Sequence, residues 1–210
     1  MRRLLGLTLG VCMLSTTTPA SQTASSSTAP VGDQIAVLAG GCFWGVEAVF
    51  ERLRGVKDVV SGFAGGSKGS AHYDRVSTGT TKHAEAVRIT YDPSRISYEQ
   101  LLKVFFVVAH DPTQLNRQGP DEGPQYRSAI FYADTRQQAI AEAFIKHLNE
   151  AKLFPRPVVT TVAPLEGFYP AEPYHQDFVR KNPRYPYVVY NDLPKLEHLE
   201  KTFPELLERK

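Results

Sequence analysis

Between Ile35 and Leu53 the apolar pattern changes period once, and abruptly. Ile35 to Ala39 reads as a short strand. After Gly40 and Gly41 the apolar positions are Val46, Val49, Phe50 and Leu53, the i, i+3, i+4, i+7 spacing of a helix, with Gly55 as its stop. A strand must therefore turn into a helix within a pair of glycines, residues that tolerate a tight turn. Further strands are predicted at Val59–Ala64, at Ala84–Tyr91 with Glu85, Val87, Ile89 and Tyr91 on one side, at Ser128–Ala133 and at Val158–Leu165. Helices are predicted from Ser97 to about His110, opened by a Ser-x-x-Gln capping box and closed by Asp111-Pro112, and over Thr135–Ala151. A short charged helix follows from Pro194, interrupted at Pro204. The order is β-α-β-β-α-β-α-β, and its first six elements match the split β-α-β (ferredoxin-like) arrangement, one sheet with helices on one face.

The chain has 210 residues, of which 42% are hydrophobic, enough for one domain with a core. Its start reads as an export signal: Arg2 and Arg3, an apolar run from Leu4 to Leu14 too short to span a bilayer, and a small-residue cleavage site near Ala20. Residues 21–32 are a polar linker with little to bury, and 33–210 a single domain. The expected location is periplasmic or secreted. No membrane association is expected once the signal is cut, and the expected state is a monomer. Losing the two arginines of residues 1–20 takes the net charge from +2 to zero. With no basic stripe, nucleic acid is not an expected partner.

Only Cys12 and Cys42 are present, and Cys12 falls in the signal. A lone cysteine in an exported chain is a reactive thiol, a source of intermolecular bonds, or a buried inert side chain. Cys42 stands at the first turn of the predicted helix, where free amides and the positive end of the dipole lower a thiol pKa. Phe43 and Trp44 would wall a pocket beside it, or simply fill the core. Two stretches poor in aliphatic residues, Gly65–Glu85 and His110–Ser128, look like functional loops. Each offers a phenol and a carboxyl: Tyr73 with Glu85, and Asp121 with Tyr126. A phenol donates a hydrogen bond, and a buried carboxyl can be kept protonated as an acid.

The stretches GGCFWGVEAVFERLRGV, HYDRVSTGTTKHAEAVRITYDP, HDPTQLNRQGPDEGPQYRSAIFY and GFYPAEPYHQDF, in that order, resemble peptide methionine sulfoxide reductases of the A type. The resemblance implies an α/β two-layer sandwich on a mixed sheet. It implies Cys42 as nucleophile, Glu85 as the acid that protonates the sulfoxide oxygen, and Phe43 and Trp44 as holders of the substrate methyl. Tyr73 and Tyr126 would hydrogen-bond that oxygen, and Asp121 would support the pocket. The implied substrate is methionine S-sulfoxide, free or in oxidised proteins. No bound cofactor and no metal are expected. An external thiol, a thioredoxin-like protein or a small thiol, would reduce the resulting sulfenic acid. One departure stands out. Many relatives carry recycling cysteines, at the position held here by Ser77 or in the C-terminal tail, and this chain has neither.

Two other readings fit the residues. One is a cysteine hydrolase in which His83 or His175 is the base. The other is a non-catalytic periplasmic binding or adhesion module that uses the aromatics.

Overall fold

Strand β1 (Gln34–Gly40) sends alternate side chains into two separate cores: Ala36 and Leu38 into the larger, Val37 and Ala39 into the smaller. The computed structural model describes residues 32–208; the signal read at 1–20 and the linker up to residue 31 lie outside them. After β1, Gly41 takes a φ of +92°, which only glycine adopts without strain, and helix α1 (Phe43–Phe50) begins at once. Strand β2 (Val56–Ala64), strand β3 (Ala84–Tyr91) and helix α2 (Tyr98–Val104) follow. The predicted capping box is present in both directions, Ser97 Oγ accepting from the Gln100 amide and Gln100 Oε1 from the Ser97 amide. The α-helix is shorter than expected, because its last turn widens to a π turn over Phe105–Ala109. His110 then leaves in an extended conformation, its ring bonded back to the Phe105 carbonyl at 2.9 Å.

Strand β4 (Ser128–Tyr132), helix α3 (Thr135–Glu150), strand β5 (Thr161–Pro164), strand β6 (Phe168–Pro170) and helix α4 (Leu193–Thr202) complete the fold. The six strands lie in the order β5-β4-β1-β3-β2-β6. All neighbours are antiparallel except β4 and β5, so the sheet is mixed. β3 sits between β1 and β2, splitting the β1-α1-β2 unit. Helices cover one face, where Val46, Val49, Leu101, Ala141, Leu196 and Leu199 meet Leu38, Val87 and Ile89. The architecture is thus α+β in two layers.

Connectivity forces the other face to curl. β5 and β6 lie at opposite edges of the sheet. Six flat strands would separate those edges by about 24 Å, yet the chain from Pro164 to Phe168 reaches at most about 14 Å. Most of the buried side chains on the concave face that results are small. Ala39, Ala64, Ala84, Ala86 and Ala129 line it, with Phe131 closing the centre. β6 has no counterpart in the pattern read above, and β5 covers only the second half of Val158–Leu165. Both are short edge strands whose existence depends on a partner.

The tail is pinned rather than free. Leu207 bridges to Leu53, and the Arg54 amide donates to the Leu206 carbonyl at 2.8 Å. No helix among the described residues is long and apolar enough to cross a membrane.

Candidate active site

Every residue that the resemblance singles out lines one cavity of about 200 Å³: Cys42, Phe43, Trp44, Tyr73, Glu85, Asp121 and Tyr126, joined by Tyr185 and Tyr187. A larger cleft of about 730 Å³ opens beside the C-terminal half of α1, but it holds Glu51, Asp177 and Arg180 and no nucleophile. The smaller cavity holds the candidate nucleophile, Cys42.

Cys42 is the N-cap residue of α1, as the apolar spacing predicted, and is only 8% exposed. Gly41 is needed behind it, since a Cβ there would meet Gln118 Cβ at 2.5 Å. Glu85 reaches the same turn from β3. It is 2% exposed, on the face shared with Val87 and Ile89, and its Oε2 accepts the backbone N–H of Phe43 at 3.1 Å. The first-turn amide that would have served a thiolate therefore serves Glu85.

This corrects the expectation of an acidic thiol. Burial pushes the Cys42 thiol well above its usual value, the charges of Glu85 and Asp192 add to that, and the Trp44 amide opposes it. No side-chain hydrogen bond to the sulfur caps the helix. A cavity that shuts out water penalises the anion more than half a helix charge rewards it. Cys42 is accordingly a thiol in the empty site at neutral pH.

Glu85 is the complementary case. Burial raises its carboxyl to about 8, the Phe43 amide pulls it down and Asp121 pushes it up, so it holds its proton at neutral pH. Oε2 is taken by the amide, which leaves Oε1 to carry and donate the proton. Tyr73 opens the short helix Tyr73–Val76 and Tyr126 closes the turn Pro124–Tyr126. Burial, then the Glu85 charge, raises both phenols, Tyr73 to about 12 and Tyr126 further. Both remain donors over the working range. Asp121 lies in a two-residue hairpin, Arg117–Gln118 with Asp121–Glu122, and its Oδ2 accepts from Tyr187 OH. Tyr187 was not among the residues read from the sequence. Its only signal was a place in an aromatic-rich run, RYPYVVY.

The two aromatic residues after Cys42 serve both of the roles considered. Phe43 is 1% exposed and packs on Phe63 at 5.9 Å, a core residue with one edge on the cavity. Trp44 stacks on Phe178 at 3.7 Å and donates its indole N–H to His175 Nδ1 at 3.1 Å. His175 is thereby committed to positioning Trp44. His83 lies outside the cavity, its Nε2 3.0 Å from the Ser67 carbonyl. Neither histidine pairs with Cys42, so the hydrolase reading lacks its base. Among the described residues no group of three or more His, Cys, Asp or Glu is placed to hold a metal.

The Trp44–His175 bond has a measurable consequence. His175→Ala should loosen the indole and raise KM for a sulfoxide substrate up to about tenfold, the worth of one hydrogen bond, with a smaller change in kcat. Steady-state kinetics on the variant checks this, and an unaltered KM would mean the bond does not hold the ring.

A thiol facing a protonated carboxyl and two phenols suits an acceptor that must gain a proton as sulfur attacks it, the mark of a cysteine-dependent reductase rather than an acyl-transfer enzyme. Comparison with known proteins agrees. The family described as peptide methionine sulfoxide reductase matches residues 34–207. A protein of Mesorhizobium japonicum named peptide methionine sulfoxide reductase MsrA 2 is 56% identical over 179 residues, 85% of this chain and 92% of its own. A Synechocystis protein of the same name is 53% identical over 181 residues, 86% of this chain and 85% of its own. Among solved structures, reduced Mxr1 of Saccharomyces cerevisiae is similar with a TM-score of 0.65 and 33% identity, covering 74% of this chain and 89% of that one. The chain belongs to the peptide methionine sulfoxide reductase family.

Proposed function

We propose that this protein reduces methionine S-sulfoxide, free or in oxidised proteins, to methionine through Cys42. The observation that carries the reading is a buried, protonated Glu85 anchored to the first turn of α1, in the same cavity as Cys42. Sulfoxide sulfur is electrophilic, but its oxygen is a poor leaving group until protonated. Cys42 sulfur attacks the substrate sulfur while Glu85 delivers its proton to the oxygen. The thiol proton replaces the one Glu85 gives, so Glu85 ends the step protonated, as it began, while Cys42 is oxidised. Oxygen passes to Cys42 as a sulfenic acid, two electrons pass to the substrate sulfur, and methionine departs. Tyr73 and Tyr126 hold the oxygen and Phe43 and Trp44 the methyl group; Asp121, tied to Tyr187, keeps the phenol side of the cavity in place. An external thiol, from a thioredoxin-like protein or a small molecule, then reduces the sulfenic acid.

The leader read at residues 1–20 supports export and action in the periplasm or outside the cell. Amino-terminal sequencing of the mature protein checks the cleavage near Ala20. The activity test is a turnover assay on free and peptide-bound methionine sulfoxide with a small dithiol as reductant. Fixed oxygen donors on one side and a fixed methyl wall on the other accept one hand at sulfur. The S epimer should be consumed and the R epimer left. Equal consumption of both would overturn the placement of the donors, and consumption of neither would overturn the function.

A further inference from the structure

The last segment of the chain brings a charged group to the site that the mechanism above does not use. Asp192 is fully buried, and neither of its carboxylate oxygens has a hydrogen-bond partner among the described residues. Lys195, one turn on, stands 3.7 Å from Oδ1, an ion pair without a hydrogen bond. The carboxylate lies against Gly45 in the first turn of α1, so closely that a Cβ on Gly45 would collide with Oδ1. The glycine that ends the GGCFWG motif is thus the space in which Asp192 sits. A carboxylate buried here, with Lys195 no nearer than 3.7 Å, opposes the positive end of α1, the feature that would otherwise favour a thiolate at Cys42.

We propose that Asp192 is a positioning residue that keeps Cys42 a thiol while the pocket is empty, and so protects it from peroxide. The proposal rests on the reading of Cys42 as the nucleophile. Cys42 is the only cysteine among the described residues, so no second thiol near it can trap an oxidised sulfur. Hydrogen peroxide oxidises the thiolate: sulfur takes one oxygen, the O–O bond breaks, and hydroxide leaves to become water with a solvent proton. A second peroxide carries the sulfenic acid to sulfinic acid, which thiols do not reverse. An idle thiolate would therefore be lost, whereas an idle thiol waits for its substrate.

The other groups facing Cys42 are Glu85 from β3, Asp121 from the hairpin, and the phenols of Tyr73, Tyr126 and Tyr187. Glu85 is uncharged below about 8, and the phenols are uncharged throughout the range of interest. Asp121 is held by Tyr187. Asp192 faces Lys195 and Asp121. Burial brings it up to about 6, with Lys195 pulling down and Asp121 pushing up. Its influence on Cys42 is therefore absent well below pH 6 and complete well above it.

The test is the pH profile of iodoacetamide alkylation of Cys42, followed by mass spectrometry, in the full chain and in Asp192→Asn. Below about pH 6 the two should coincide. At pH 7 to 8 the variant should react about tenfold faster, one unit of thiol pKa, and should gain sulfinic acid correspondingly faster in peroxide. A purely structural role would not produce profiles that part at the ionisation of Asp192. The wild-type profile, on a logarithmic scale, should also rise with a slope below one through pH 6. Coincident profiles throughout, or a slower variant, would overturn the proposal. Should the variant not fold, a wild-type slope of one throughout pH 5 to 7, below the ionisation of Glu85, would overturn it, and a break to a shallower slope centred near pH 6 would uphold it. Neither measurement uses a sulfoxide, so both stand whether or not the protein reduces one.

Discussion

Glu85→Gln should slow sulfoxide reduction by about 10²–10⁴ in a single turnover, the usual contribution of a positioned general acid. Gln retains an oxygen for the Phe43 amide and nearly the same volume, but its amide cannot give up a proton. The wild-type chemical rate should be level below about pH 8 and fall above it, as Glu85 ionises, and that descent should be missing from the variant. Stability should move the other way. The folded-state pKa of about 8 lies above the ordinary carboxyl value of 4.5. At pH 4 both states of the chain hold the proton. Between 4.5 and 8 the unfolded chain gains by ionising while the folded one does not, so stability present at acid pH is lost as pH rises through the folded value. Glu85→Gln should therefore melt at the wild-type temperature at pH 4 and on the order of ten degrees higher at pH 8, since a shift from 4.5 to about 8 is worth about 4 kcal/mol, at about 2–4 °C per kcal/mol in a domain of this size. An unchanged single-turnover rate would remove Glu85 from the chemistry.

Without an added thiol, the mature protein should release one equivalent of methionine and stop. The described residues hold one cysteine, and the tail that might have carried a second is packed against α1 through Leu196 and Leu199. No internal disulfide can form there, so an outside thiol must attack the sulfenic sulfur directly. Mass spectrometry after one equivalent of sulfoxide should find one extra oxygen on Cys42. Added dithiol should restore turnover, and a trapped mixed disulfide should report the attack. A covalent dimer through Cys42, or a bridge from Cys42 to a retained Cys12, would show a different recycling route or an uncut leader.

The parts of this protein legible in its sequence are those whose cause is local. The Gly40–Gly41 turn, the helix after it and the capping box at Ser97 each depend on residues within a few positions of one another. So does the placing of Glu85 on the face of Val87 and Ile89, since alternation along a strand is a property of the strand alone. Cys42, Glu85, Tyr73, Asp121 and Tyr126 were singled out by motifs that are dense and ordered, and they line one cavity. Cys42 at the start of a helix was legible too, but its proton affinity was not. The helix end is a local fact, while the burial that outweighs it comes from β3, the hairpin and the tail closing over the sulfur. Likewise His175 read as a candidate base, and only the fold shows it bonded to Trp44 instead.

What the sequence determined by itself was the kind of element at each position and which side chains share a face. Tertiary structure decided everything that needs two distant segments to meet. The bond from the Phe43 amide to Glu85 spans 42 residues, that from Tyr187 to Asp121 spans 66, and that from Trp44 to His175 spans 131. Strand β6 exists only because β2 offers it an edge, and Asp192 matters only because Gly45 leaves room for it. Periodicity records what one segment must bury. The partner it buries against, and the water that partner excludes, set the protonation of Cys42 and Glu85, and those belong to the folded chain.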